Sequence, residues 1–200
     1  MLHLLTQGGW VVIPLAVCSI LATIIVLERI FFYLTFKALD EQELNLLRIY
    51  LQQGKIDDAR KMAIESRSAL GQVIEAGLRQ RENDRQLVEL VMQSAGEFQA
   101  KRLQRGLNLL DTIVTASPLL GLLGTVTGII KAFSAIAIGG ASQTTQLSAG
   151  IAEALYNTAF GLAIAIPALF FVNIFYGIAE KKAGDLSAKA QEILTILQKG

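Results

Sequence analysis

The sequence predicts an all-α membrane protein with three transmembrane helices, the second and third of which extend far into the cytoplasm. Of its 200 residues 52% are hydrophobic and its mean hydropathy is +0.48, which is too apolar for an ordinary soluble domain. Three apolar runs each reach the length of about 20 residues that a helix needs to cross a bilayer. Lys and Arg are segregated along the chain, which predicts a defined orientation.

The first predicted span, 10–36, begins with "WVVIPLAVCSILATIIVL" and continues past Glu28 and Arg29 as "IFFYLTF". It could be mistaken for a signal peptide because it lies near the start of the sequence. However, the preceding segment 1–9 has no Lys or Arg, and the apolar core is too long for a signal sequence. We therefore expect a retained membrane anchor.

The region 37–107 is predicted to be cytoplasmic and helical. It contains "DEQELNLLRIYLQQG", which ends at Gly54, and the short amphipathic segments "KIDDARKMAIES" and "ALGQVIEAGLRQR". From Asn83 or Asp84, either of which could cap a helix, no breaker is recognised before Pro118. Apolar or small residues at positions 87, 90/91, 94, 98 and 103 predict its buried stripe.

This helix is expected to run unbroken from about residue 84 through the second span, 108–138. A helix of about 50 residues is a rod of roughly 75 Å. After the loop 139–149, the third span, 150–179, is expected to continue into the tail 180–200. The tail presents a packing face of Leu186, Ile193, Leu194 and Leu197, so the short helices are expected to pack around these two long ones.

The orientation follows from the positive charges. Segments 1–9 and 139–149 contain no Lys or Arg, whereas 37–107 contains twelve and the tail contains lysines. The positive-inside rule places the basic segments in the cytoplasm, and the N-terminus and the 139–149 loop on the opposite side.

Several function classes are excluded by composition. The net charge of +1 gives no basic excess for nucleic acid, and Cys18 and His3 are the only residues of their types. They cannot form a disulfide framework or a metal site. No phosphate-binding loop and no nucleophile–base pair is recognised. The sequence therefore predicts neither an enzyme nor a bound metal or cofactor.

The second and third spans each contain a stripe of small residues at steps of three and four, with one threonine per stripe, Thr125 and Thr158. The small residues are Pro118, Gly121, Gly128 and Ala132 in the second span, and Ala154, Gly161 and Ala165 in the third. One interpretation is close helix packing, supported by the Gly124-x-x-x-Gly128 spacing. The threonines would then bond to carbonyls of their own helices. The other interpretation is that the stripes line a narrow pore, or a socket for a partner helix. The two hydroxyls would then be the polar groups that an ion or a water molecule contacts on its way through.

Two charged residues occur in these spans. A carboxylate within a span is expected to face an interior or a wet cavity. Glu153 lies only about one turn into the third span, so a position at the membrane interface is the alternative. Lys131 should lie at a comparable depth, so we hypothesise a Lys131–Glu153 ion pair, within or between subunits. Alternatively, Lys131 extends to the outer headgroups. Asn157, four residues after Glu153, lies on the same face of the helix.

The segment "SPLLGLLGTVTGIIKAF", a short loop and then "GIAEALYNTAFGLAIAIPA" together resemble the MotA/TolQ/ExbB proton-channel family, especially its ExbB/TolQ branch. The motif covers roughly 117–168. The three spans and their orientation also fit, so the resemblance extends over nearly the whole chain.

The resemblance implies a bacterial inner-membrane protein with a periplasmic N-terminus and a cytoplasmic C-terminus. It implies a ring of five copies around a central pore, holding two copies of a single-span partner of the ExbD or TolR type. The partner carries a transmembrane aspartate, and proton flow drives TonB-type transport or a related envelope process, with a TonB-like protein as a further partner.

The resemblance also assigns roles to residues. Thr125 and Thr158 would line the proton path, Glu153 would tune the pore mouth or subunit packing, and Pro118 and Pro167 are the two span prolines. Tyr156, Asn157 and Lys131 depart from the family pattern. The process that the ion flow drives could therefore be of the TonB, TolQ or MotA type. The conducted ion could be H⁺ or Na⁺. A non-conducting scaffold and a channel that works without a partner are the alternatives.

Overall fold

The computed structural model describes residues 9–37, 41–81, 84–139 and 144–199, and the regular elements within these ranges are helices. A 3₁₀ turn, Gly9–Val11, leads into α1. The longer helices are α1 (Val12–Thr35), α2 (Glu41–Gln52), α3 (Ile56–Glu65), α4 (Ala69–Arg79), α5 (Arg85–Gln104), α6 (Leu107–Gly139) and α7 (Thr144–Lys199). The predicted segment 1–8, Asn83 and positions 140–143 lie outside the described residues.

Among the residues that the structure describes, three helical stretches are long and apolar enough to cross a membrane, namely Gly9–Thr35, Arg85–Ser134 and Thr145–Leu197. They correspond to α1, to α5 with α6, and to α7. This confirms the prediction of an all-helical protein with three membrane-spanning helices. α7 begins at Thr144, earlier than the predicted start of the third span.

The chain divides into two compact units. The first contains the described residues of Met1–Ile30 and Gly106–Phe175, and the second those of Phe31–Arg105 and Tyr176–Gly200. We call them the span unit and the basic unit, because the second includes the Lys- and Arg-rich region 37–105.

The helix expected to run unbroken from about residue 84 is interrupted between α5 and α6. Arg105 has a ψ of 133° and Gly106 has a φ of +79°, so the backbone leaves the helical conformation there. A positive φ costs glycine little, because glycine lacks the Cβ that disfavours this region in other residues. The sequence pattern did not reveal this break, since an isolated glycine in a helical pattern is often tolerated. At the other end of α5, Asp84 occupies the N-cap position, but its side chain forms no capping hydrogen bond.

The core of the basic unit joins α2, α3, α4 and α5 to the end of α7. Its members include Leu44, Leu47, Ile74, Ile193 and Leu194, all buried. Ser68 begins α4 by accepting a 2.9 Å hydrogen bond from the backbone nitrogen of Gly71. Of the four tail positions predicted to form a packing face, 186, 193 and 194 are buried and 197 is partly buried. The predicted packing of the short helices on the long ones is thereby confirmed.

The buried face of α5 differs from the predicted stripe. Val88 and Met92 are buried, and Met92 packs closely on Gly77 of α4. Leu90 and Phe98, both in the predicted stripe, are about 60% exposed. α5 carries apolar residues on two faces, and the contact with α4 buries one of them. The hydrophobic periodicity of the sequence does not determine which of the two faces is buried. Residue 103 is the one position of the predicted stripe that the structure buries fully among those it describes.

In the span unit, α6 and α7 approach so closely that side chains would not fit at several glycines. A methyl group added at Gly161 would lie 2.5 Å from the carbonyl oxygen of Ser117 and 3.2 Å from the Cα of Gly121. One added at Gly128 would lie 3.0 Å from the Cβ of Ala154. We call this contact the α6–α7 seam. It lets the backbones of two membrane helices pack directly against each other.

We predict that Gly161→Ala destabilises the protein by about 1–3 kcal/mol, the usual cost of overpacking a well-packed contact. The new methyl group meets a backbone oxygen, which cannot rotate away as a side chain could. Thermal unfolding in detergent should show a lower midpoint than for the parent chain.

Gly177→Ala, in the same helix, is the matched control. A methyl group there has nothing within 4 Å, so its helix propensity should leave stability unchanged or raise it by up to about 1 kcal/mol. Equal midpoints for the two variants would contradict the close approach at Gly161.

Candidate functional site

Residues of both small-residue stripes meet in the α6–α7 seam. Gly121 faces the backbone of Asn157 and Thr158, Gly128 faces Ala154, and Gly161 faces Ser117. Ala132, Ala154 and Ala165 are buried as well. Within one chain the stripes therefore pack on each other, which is the packing interpretation of the glycines and alanines.

Thr125 and Thr158 meet across the seam. Their Oγ1 atoms are hydrogen-bonded to each other, and Thr125 Oγ1 lies 3.1 Å from the Gly121 carbonyl oxygen and 3.3 Å from that of Ala154. Thr158 Oγ1 lies 3.4 Å from the same Gly121 oxygen. Both threonines are only half-buried, whereas Gly121 and Ala154 are buried, so the hydroxyls lie at the edge of the seam.

The threonine pair brings more acceptors than donors into one place. Each hydroxyl has one proton to donate and two lone pairs, and two carbonyl oxygens lie within hydrogen-bonding reach. The two protons cannot satisfy every acceptor at once. The pair can therefore accept a hydrogen bond from a water molecule or from a protonated carboxyl group that reaches its open side.

Lys131 and Glu153 form an ion pair within the chain, with Nζ 2.9 Å from Oε1. The Glu153 side chain is 21% exposed and that of Lys131 is 53% exposed. Gly9, at the start of the 3₁₀ turn, has a φ of +66°, and a methyl group there would collide with the Glu153 carboxylate. A glycine at this position thus allows the turn before α1 to lie directly against the pair.

Asn157 is a buried amide that sequence reasoning left without a role. It is 1% exposed, and its side chain lies against Gly124. Among the described residues neither Nδ2 nor Oδ1 has a hydrogen-bond partner, and the same holds for the buried Ser117 Oγ. An unsatisfied buried polar group costs about 1–3 kcal/mol. The seam therefore contains buried polar atoms, those of the Asn157 amide and the Ser117 hydroxyl, that close helix packing does not require.

The two prolines lie inside helices without ending them. Pro118 is half-buried in α6. Pro167 is exposed in α7 and lines an apolar groove of about 780 Å³ between α7 and α1, together with Leu15, Ala22 and Phe171. Because proline has no N–H, each removes one backbone hydrogen bond from a membrane helix.

Arg29 is a buried charge whose setting the sequence did not reveal. It is 2% exposed in α1, and its Nε and NH2 atoms each lie 2.5 Å from a carboxylate oxygen of Glu28. In the sequence these two residues looked only like an interruption of the first apolar run. A bidentate pair is the geometry that best compensates a buried guanidinium.

Comparison with known proteins identifies a family whose members resemble this chain in sequence. The sequence profile of the MotA/TolQ/ExbB proton channel family matches residues 65–187, which include both threonines and the ion pair. The biopolymer transport protein ExbB-like 1 of Synechocystis sp. is 35% identical over 193 residues, covering 94% of this chain and 75% of that protein.

Two further relatives lie in the same group. The Tol-Pal system protein TolQ of Pseudomonas aeruginosa is 31% identical over 82% of this chain and 75% of its own length. The biopolymer transport protein ExbB of Salmonella typhimurium is 46% identical over 42% of this chain and 36% of its own length. With the profile matching more than half of the chain, and the three membrane-spanning helices in place, this protein belongs to the MotA/TolQ/ExbB proton channel family, a family of membrane channel proteins rather than enzymes.

Proposed function

We propose that this chain is the ion-conducting subunit of an inner-membrane motor that uses the proton-motive force to drive TonB-type transport or a related envelope process. The observation that carries the proposal is the Thr125–Thr158 pair at the edge of the α6–α7 seam. It places two hydroxyl groups in a half-buried position among the glycines and alanines where the two membrane helices meet. The names of the relatives, biopolymer transport and Tol-Pal proteins, support an envelope role.

The chemistry requires a partner. Threonine hydroxyls bind water and carboxyl groups by hydrogen bonds, but they cannot store a proton's charge near neutral pH. Glu153, the carboxylate near the outer end of α7, is paired with Lys131. We therefore propose that the ionising group belongs to two copies of a single-span ExbD- or TolR-like protein with a transmembrane aspartate, to which a TonB-like protein couples.

We further propose a ring of five copies around this partner in the bacterial inner membrane, with a periplasmic N-terminus and a cytoplasmic C-terminus. The distribution of Lys and Arg supports this orientation. In a single chain the spans expose many large apolar side chains, among them Ile13, Leu119 and Phe170. Lipid and neighbouring copies would cover these surfaces.

In this mechanism a protonated partner carboxyl group reaches the threonine pair and donates a hydrogen bond to it. Loss of the proton toward the cytoplasm removes that bond and biases the partner helix toward another subunit. A membrane potential of 100 mV supplies about 2.3 kcal/mol for each charge that crosses. The small residues of the seam keep the two hydroxyls together while the partner moves.

A non-conducting scaffold is the second candidate, and the packing of the small stripes within one chain favours it. TolQ-like envelope maintenance and a MotA-like motility stator are alternative loads for a conducting subunit. The scaffold and the conductor differ in what the threonine hydroxyls do, so substituting them separates the two.

We predict that Thr158→Val lowers ion flux at least about tenfold, equivalent to roughly 1.4 kcal/mol, when the chain and its partner are reconstituted in vesicles. Valine keeps the shape but removes the hydroxyl, whereas Thr158→Ser keeps the hydroxyl and should retain most of the flux. Flux is followed with a pH-sensitive dye under an imposed potential.

The control is Thr127→Val, because the Thr127 hydroxyl bonds only to carbonyls of its own helix, those of Leu123 and Gly124, among the described residues. It should leave the flux near the parental value. Undiminished flux in Thr158→Val would favour the scaffold. Flux that follows a Na⁺ gradient and ignores a pH gradient would show that the ion is Na⁺.

We predict an asymmetry at the Lys131–Glu153 pair. Lys131→Met leaves a largely buried carboxylate unpaired and should cost about 1–3 kcal/mol of stability. Glu153→Gln leaves a lysine that is half exposed and can extend to the headgroups, so it should cost less. The double swap, Lys131→Glu with Glu153→Lys, should recover part of the loss, as measured by thermal unfolding.

Arg60→Met is the comparison, because Arg60 forms a longer, 3.6 Å ion pair with Glu75 between the short helices α3 and α4, outside the membrane-spanning stretches. Exposed pairs contribute about 0–1 kcal/mol. A Lys131→Met cost no larger than the Arg60→Met cost, together with no recovery in the swap, would show that the pair contributes nothing.

A further inference from the structure

The basic unit contains a groove of about 370 Å³ between α5 and α7. Its floor is apolar and is formed by Met92, Leu186 and Leu194, all buried. Small residues widen its walls, namely Gly96, Ala100, Ala183 and Ala190. This combination provides room for side chains of another segment over an apolar base.

One wall of the groove is acidic. Glu89, Gln93 and Glu97 line it from α5 at steps of four residues, and Gln93 Nε2 donates a 3.3 Å hydrogen bond to Glu97 Oε1. The opposite wall, from α7, contributes the neutral Ser187 and Gln191. The residues that line the groove include no Lys or Arg, although the surrounding sequence is rich in both.

Two lysines of α7, Lys182 and Lys189, are engaged outside the groove. Lys189 bonds to Glu41 of α2, which holds the pKa of that carboxyl group below its ordinary value. The Lys182 ammonium lies 4.8 Å from the centre of the Phe36 ring. Glu89 and Glu97 form no ion pair with any described residue of the chain. The groove therefore combines an apolar floor with two carboxylates open to a cation.

We propose that this groove binds the basic juxtamembrane segment on the cytoplasmic side of the single-span partner. This inference rests on the proposed function and on the proposed orientation, which puts the basic unit in the cytoplasm. Membrane proteins concentrate Lys and Arg in the segments that flank their spans on that side. The flank of such a partner thus supplies cations for Glu89 and Glu97 and can place apolar side chains on the floor.

The dimensions suit such a segment. Eight residues of helix separate Glu89 from Glu97, a distance of about 12 Å. An extended chain advances about 3.3 Å per residue, so cations three or four residues apart match both carboxylates.

A second copy of this chain has a better surface elsewhere on α5. Leu87 and Phe98, eleven residues or three helical turns apart, share an exposed apolar face of α5 and are absent from the groove lining. An uncharged apolar stripe is the expected contact between copies of a chain, because interface cores are depleted in charged residues. The acidic groove is left for a partner of opposite charge.

The test is disulfide crosslinking in the full complex. The native Cys18 is changed to Ser, Ser187→Cys places a thiol in the groove, and single cysteines are introduced along the partner's cytoplasmic flank. Thr195→Cys, exposed and absent from the groove lining, is the control thiol. We expect Ser187→Cys to crosslink to the partner at least about fivefold more than Thr195→Cys does.

Charge reversal gives the second measurement. Glu89→Lys with Glu97→Lys should lower the Ser187→Cys crosslink about fivefold or more, because both attractions become repulsions. Glu65→Lys, which reverses an exposed carboxylate at the end of α3, should not.

The outcomes separate the two proposals. The partner could copurify and support ion flux, yet crosslink equally to Ser187→Cys and Thr195→Cys. That result would contradict binding in the groove and leave the proposed function unaffected. Crosslinks from Ser187→Cys to a second copy of this chain also overturn it, by making the groove a subunit contact. If no single-span protein with a membrane aspartate copurifies with this chain, both the proposed function and the proposed groove contact are contradicted.

Discussion

The close approach of α6 and α7 is the contact on which the rest of the span unit depends. In a bilayer the lipid tails are as apolar as the helices, so burial from water does not drive two helices together. Van der Waals contact and interhelical hydrogen bonds contribute instead, and van der Waals attraction falls off steeply with distance. Glycine at positions 121, 128 and 161 removes the side chains that would hold the backbones apart.

That contact also brings the polar groups together. The Thr125 and Thr158 hydroxyls reach each other because Gly121 admits the backbone of residues 157 and 158. Further along the same helices, Lys131 and Glu153 come within 2.9 Å. Packing and polar chemistry therefore share one seam, with the small residues inside it and the hydroxyls at its edge. A pore-lining role for the threonines is compatible with this packing, since both residues are only half-buried within the chain.

Hydropathy and charge were sufficient to predict the three spans, because a bilayer imposes a length and a polarity on any helix that crosses it. The short helices α2, α3 and α4 were likewise predictable from local amphipathic pattern. The position of Lys131 and Glu153 at similar depths was enough to suggest their pair. The threonine pair was singled out by the spacing of the two stripes, although spacing alone could not decide between packing and a pore.

The features that escaped prediction depend on tertiary contacts. The buried face of α5 is selected by its fit against Gly77 of α4, which hydrophobic periodicity does not encode. The break between α5 and α6 depends on two backbone angles, the ψ of Arg105 and the φ of Gly106. Arg29 was undervalued because its burial and its bidentate bond to Glu28 arise only in the folded chain.

We propose that Thr125 and Thr158 present their hydroxyls to an acidic helix from a partner protein. A high-resolution map of this chain assembled with its single-span partner would locate these hydroxyls. We expect both threonines to face a common central gap filled by the partner helix, with the partner's carboxyl group about 3 Å from a threonine oxygen in at least one subunit. Threonine hydroxyls turned toward lipid, or an assembly in which no gap and no foreign helix lie beside the seam, would contradict it.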